Sequence, residues 1–80
     1  MISIKLVDKN IKINCTGNQL IDTKKIVKLY RTSIRLINEN GNIPIIVDID
    51  LNVRFSNKAK KIFNRLNTKC DGIALVINYG

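Results

Sequence analysis

Apolar and polar residues alternate at the start of the chain. Ile2, Ile4 and Leu6 are separated by Ser3 and Lys5, and Ile11, Ile13 and Cys15 by Lys12 and Asn14. A period of two sends successive side chains to opposite faces, which predicts two strands with one buried face each. Asp8-Lys9-Asn10 between them is turn chemistry, because Asp and Asn tolerate the left-handed backbone. The segment reads as a β-hairpin.

The period then changes. Thr16-Gly17-Asn18 breaks the second strand, and Asp22 or Thr23 offers a side-chain oxygen to the free N–H groups of a helix. Ile26, Leu29, Tyr30, Ile34 and Ile37 recur at helical spacing, with Val27 and Leu36 widening the stripe. Asn40-Gly41 is a C-terminal cap, since Gly takes positive φ without a Cβ clash.

Ile43 to Ile49 is nearly all apolar, which predicts a central parallel strand covered on both sides. Pro44 fits only near its start. After a loop over Asp50 to Phe55, Ser56 caps a second helix with Ala59, Ile62, Phe63 and Leu66 on one face. Asn67 to Lys69 end it. Ile73-Ala74-Leu75-Val76-Ile77 reads as a second buried strand.

The expected fold class is therefore α/β (α+β): an N-terminal β-hairpin, then α-β-α-β, giving a four-stranded mixed sheet with two helices. Right-handed crossovers make the last three strands parallel and set the first antiparallel to the second. No linker, internal repeat or low-complexity segment is visible, so residues 1–80 read as a single domain. Two helices on one side leave the other face of the sheet uncovered, from which self-association as a homo-oligomer is expected.

Composition narrows the function. The chain has no histidine, which removes the commonest general base and metal ligand. No nucleophile–base pair and no Gly-rich phosphate loop stands out, so a noncatalytic protein without cofactor or metal is expected. Cys15 and Cys70 match no metal spacing and read as reduced thiols of a cytoplasmic protein. No apolar run approaches a membrane span, and the N-terminus lacks a secretory signal pattern.

Fourteen Lys and Arg against six carboxylates give a net charge of +8. Lys24, Lys25, Lys28, Arg31 and Arg35 crowd the first helix. They read either as a polyanion-binding face for nucleic acid or as an ordinary solvated surface. Tyr30 and Tyr79 are available for base stacking, but aromatics interleaved with basic strand residues are missing. Tyr30 reads more plainly as a core-edge residue with its hydroxyl in water.

Two further clusters stand out. Asp48 and Asp50 share one side of a strand near its C-terminal end, where α/β proteins place ligand groups. They read as a carboxylate pair that binds a divalent cation or, more plainly, as hydrogen-bond acceptors at a strand end. Around Ser56, the cations Arg54, Lys58 and Lys61 gather at a helix N-terminus, where the dipole disfavours positive charge. Arg54, Ser56, Lys58 and Lys61 read as an anion or partner site, with Arg54 and Lys58 as its arms, or as a capped helix with solvated cations.

Ile45-Ile46-Val47-Asp48-Ile49, a loop, Ser56-Asn57-Lys58-Ala59-Lys60-Lys61-Ile62-Phe63 and Gly72-Ile73-Ala74-Leu75-Val76-Ile77 together resemble the STAS-like (SpoIIAA-like) bacterial domains. Those follow an N-terminal hairpin and a long helix with the order strand, Asp, loop, Ser, helix, apolar strand. The resemblance implies a noncatalytic regulatory module that binds a protein partner. In the anti-sigma-factor antagonists of that class, a Ser at the start of the corresponding helix is phosphorylated, and Ser56 stands at the matching place. The Asp-Ser-Ser-Gly-like signature of those switches is absent. Related domains continue with another helix, strand and helix, so the resemblance implies a truncated or minimal member.

Overall fold

The computed structural model describes residues 1–79. β1 (Ile2–Val7) and β2 (Asn10–Cys15) form the expected hairpin, paired from Ile2 opposite Cys15 to Val7 opposite Asn10. Asp8 and Lys9 both take positive φ, 50° and 63°, which suits a two-residue turn to the right-handed twist of the strands.

β3 (Leu20–Ile21) leads into α1 (Thr23–Asn40). Asp22 is the N-cap and accepts the Lys25 N–H at 3.0 Å. Gly41, at φ 87°, closes the other end by donating its N–H to the Ile37 carbonyl at 2.7 Å. β4 (Ile45–Asp50) starts just after Pro44, whose carbonyl accepts the Ile11 N–H at 2.9 Å. β5 (Arg54–Phe55) precedes α2 (Asn57–Asn64), and the helix tightens to a 3₁₀ turn over Arg65–Thr68. β6 (Ile73–Asn78) ends the sheet.

The main sheet has the order β1-β2-β4-β6, with β1 antiparallel and the other three parallel. The α/β fold expected from the sequence is the fold observed. β3 and β5, too short to show a period, form a separate parallel pair.

A repeat emerges that the sequence alone does not display. Ile11 pairs with Ile45, Cys15 with Ile49, and Ile21 with Phe55, so one offset of 34 residues holds throughout. The same offset relates the caps Asp22 and Ser56. The chain thus builds strand, short strand, cap and helix twice over, and β6 repeats the strand once more. The repeat lies in register rather than in residue identity, as Lys12 opposite Ile46 and Leu20 opposite Arg54 illustrate.

The register also fixes the faces. Ile11, Ile13, Cys15, Ile45, Val47 and Ile49 point toward the helices and are buried with Ile26, Leu29, Ala59 and Leu66. The alternate positions, among them Lys12, Asn14, Ile46, Asp48 and Asp50, form the open face and are half-exposed. β4 is therefore covered on one side, not two. The second correction concerns β6, which is an edge strand and not a buried one. Leu75, Val76 and Ile77 remain 57%, 43% and 38% exposed.

One core position is under-used. Ser33 lies on the buried face of α1, and its hydroxyl has no hydrogen-bond partner among the described residues. A buried donor left unpaired costs free energy, and Ala is the better helix former. Ser33→Ala is expected to raise unfolding stability by about 1 kcal/mol in urea denaturation.

Candidate interaction surface

Each helix of the repeat follows a strand of the main sheet, and α1 also packs against β1. α1 follows β2 and β3, and α2 follows β4 and β5. Among the described residues β6 has no such helix. Its helix-side residues Leu75 and Ile77 consequently stay open, beside a groove of about 310 Å³ lined by Val47, Ile49, Phe55, Phe63 and Leu75. The Phe55 and Phe63 rings meet in its wall at 6.0 Å between centroids. Lys60 and Asn64 are its polar members.

Among the described residues no strand pairs with the outer side of β6. The Gly72 carbonyl accepts the Ile45 N–H and the Asn78 carbonyl accepts the Leu51 N–H, each at 2.9 Å. In a strand the N–H and C=O of one residue point the same way, and the direction alternates. Ala74, Val76 and Asn78 therefore face β4, while Ile73, Leu75 and Ile77 point their N–H and C=O groups outward. Natural edges are guarded by charge, proline or bulges. β6 carries neither charge nor proline, whereas the opposite edge strand, β1, carries Lys5.

The sequence-predicted residues distribute as follows. Ser56 is the N-cap of α2, and its hydroxyl accepts the Ala59 N–H at 3.1 Å. Lys58 and Lys61 are exposed on α2 and Arg54 is exposed on β5. The cap accounts for Ser56, and no acidic side chain pairs with the three cations among the described residues. Phe55, between Arg54 and Ser56, turns instead into the groove.

Asp48 and Asp50 are both engaged. Asp48 accepts the Asn78 side-chain amide, and Asp50 accepts the Gly17 N–H at 2.8 Å. No cluster of three metal-ligating side chains occurs among the described residues. Asp50 lines a cleft with Asn18, Asn52 and Asn78 at the carboxyl ends of the strands. The plainer reading, acceptors that tie strand ends together, accounts for both carboxylates.

On α1, Lys24, Lys28, Arg31 and Arg35 follow a spacing of four, three and four residues. They form one exposed stripe opposite the buried Ile26, Leu29, Ser33 and Ile37. Lys25 lies to one side, 3.3 Å from the Gln19 side-chain oxygen. Glu39 meets Arg35 at 4.0 Å, an exposed pair of small value. Tyr30 is half-buried at the core edge, and Tyr79 is exposed.

Cys15 and Cys70 are free thiols. Burial pushes the Cys15 thiol above its ordinary value of 9.0, partly offset by the Met1 ammonium. The folded chain therefore holds this proton where an unfolded chain releases it. Its contribution to stability is full below the unfolded value and is lost as pH rises through the folded one. Urea midpoints are expected to fall above about pH 9, and the fall is expected to be shallower in Cys15→Val.

No helix among the described residues is long and apolar enough to cross a membrane. Comparison with known proteins adds no identity: no family model, curated protein or solved structure matches the chain.

Proposed function

We propose that this chain is a noncatalytic, STAS-like regulatory module that binds a protein partner by strand addition to β6. The observation that carries this reading is the free side of β6, apolar, uncharged and bordered by the Phe55–Phe63 groove. Strand addition draws affinity from main-chain hydrogen bonds and specificity from pockets for alternate side chains. The outward backbone groups of Ile73, Leu75 and Ile77 supply the first, and the groove beside Leu75 supplies the second. The order of strand, Asp48, loop, Ser56, helix and apolar strand supports the likeness to STAS domains. The absence of histidine and the engaged state of Asp48 and Asp50 fit a noncatalytic role.

Leu75→Pro tests the reading. It removes an outward N–H and leaves the β4–β6 ladder alone, a position at which edge strands accept proline. A partner recovered from nuclease-treated lysate is expected to be lost in Leu75→Pro, with the circular dichroism unchanged. Retention of every partner by that variant contradicts the proposal.

A second reading, binding to nucleic acid or another polyanion, has its own support in the α1 stripe. It requires partners that vanish with nuclease or when Lys24, Lys28, Arg31 and Arg35 are all changed to Glu.

A further inference from the structure

Building on the strand-addition reading, we infer that the occupant of β6 is the β6 of a second copy, joined antiparallel about a twofold axis at Leu75. Three features converge on this register. First, an isologous contact needs a surface that complements itself. Antiparallel strands present outward groups as pairs that exchange both N–H···O=C bonds. With Leu75 opposite its own copy, Ile73 meets the partner's Ile77 and Ile77 meets the partner's Ile73. All the outward backbone groups of β6 are then paired, and shifting the register by two residues strands some of them.

Second, the side chains match. On the helix side Leu75 meets its copy, flanked by Ile73 and Ile77. On the open face Ala74 faces the partner's Val76, small against large. The grooves of the two protomers become continuous across the axis, so the exposed flank of Leu75 is covered from both sides. Third, the charges allow it. Like charges directly opposite destabilise a strand pair, and β6 has none in a chain of net charge +8. Most of the cations sit on α1, α2 and the hairpin, with Arg54 on β5, Arg65 in the 3₁₀ turn and Lys69 just after it. Lys60, at the groove, reaches solvent on its long stem.

The self-repulsion of two +8 protomers makes the salt response diagnostic. Added salt screens that repulsion and is expected to tighten the dimer, whereas it weakens any polyanion complex. The two behaviours are opposite in sign.

The test combines mass and register in the full chain. Sedimentation from micromolar to several hundred micromolar is expected to show protomer passing to dimer, more readily at higher salt. Leu75→Pro deletes the two N–H groups nearest the axis and is expected to raise the dimer Kd about 30-fold or more. Leu75→Lys, a second variant at an exposed site, is expected to do the same without any backbone change. For register, Leu75→Cys in a Cys70→Ser background places two thiols on a pair about 5.5 Å apart between Cα atoms. That separation is within disulfide reach. Mild oxidation is expected to cross-link it, and Val76→Cys, which sits opposite Ala74, is not expected to cross-link. A protomer at every concentration overturns the inference, as does cross-linking of Val76→Cys as fast as of Leu75→Cys. If the chain stays a protomer but loses a different partner in Leu75→Pro, the second copy is excluded and strand addition stands. If Leu75→Pro changes neither mass nor partners, both fall.

Discussion

Ile13→Ala is expected to lower the unfolding free energy by about 3–4 kcal/mol, read as a large drop in urea midpoint with little change in slope. Ile13 is fully buried in β2, between Ile4 and Val47 in the sheet. Neither neighbouring strand can move to fill the gap without breaking its ladder, so most of the cavity remains. A domain of this size holds about 4–12 kcal/mol in total. The substitution therefore removes a large share of the whole, and the variant is expected to be partly unfolded at moderate temperature. Leu75→Ala, by contrast, touches a side chain that is 57% exposed and is expected to cost the protomer under about 1 kcal/mol. The pair of variants separates what holds the fold from what is offered to a partner.

The second large effect concerns salt. If the α1 stripe engages phosphates through Lys24, Lys28, Arg31 and Arg35, affinity for mixed-sequence duplex DNA falls by about 100-fold between 50 and 200 mM salt. The log–log slope is then near −3 to −4, because each neutralised phosphate releases close to one counterion. Changing all four residues to Glu is expected to abolish the binding. The readout is a titration of labelled DNA and RNA at several salt concentrations. Steep micromolar binding makes the stripe a polyanion site alongside the β6 edge. No binding at low salt makes it a solvated surface, with the charge serving only to keep copies apart except at the uncharged strand.

Much of the fold was legible residue by residue. Asp8-Lys9-Asn10 reads as a turn, although Asn10 already belongs to β2. Asp22 or Thr23 and then Ser56 read as the two caps, of which the structure uses Asp22 and Ser56. Asn40-Gly41 reads as the end of α1. β3 and β5 escaped because Leu20-Ile21 and Arg54-Phe55 are too short to show any period. The repeat escaped because it is carried by register while the open-face residues differ freely. The exposure of β6 escaped for another reason. A run such as Ile73-Ala74-Leu75-Val76-Ile77 has the same composition whether it lies at the centre of a sheet or at its edge. Only the strand order, with β4 and not β6 in the middle, separates the two. The interaction surface was legible for the same reason in part only. Cations around Ser56 can be counted from sequence, but the groove beside Phe55 needs α2 laid over β4 and stopping short of Leu75.

The most direct measurement is residue-resolved amide exchange along β6, at low and at high protein concentration. In dilute protein the amides of Ala74, Val76 and Asn78 are predicted to be protected by the β4 ladder, and those of Ile73, Leu75 and Ile77 to exchange freely. At high concentration, or with a partner added, the second set is predicted to gain protection. Uniform protection along β6 in dilute protein, or free exchange of Ile73, Leu75 and Ile77 under every condition, would contradict the account of β6 as a docking edge.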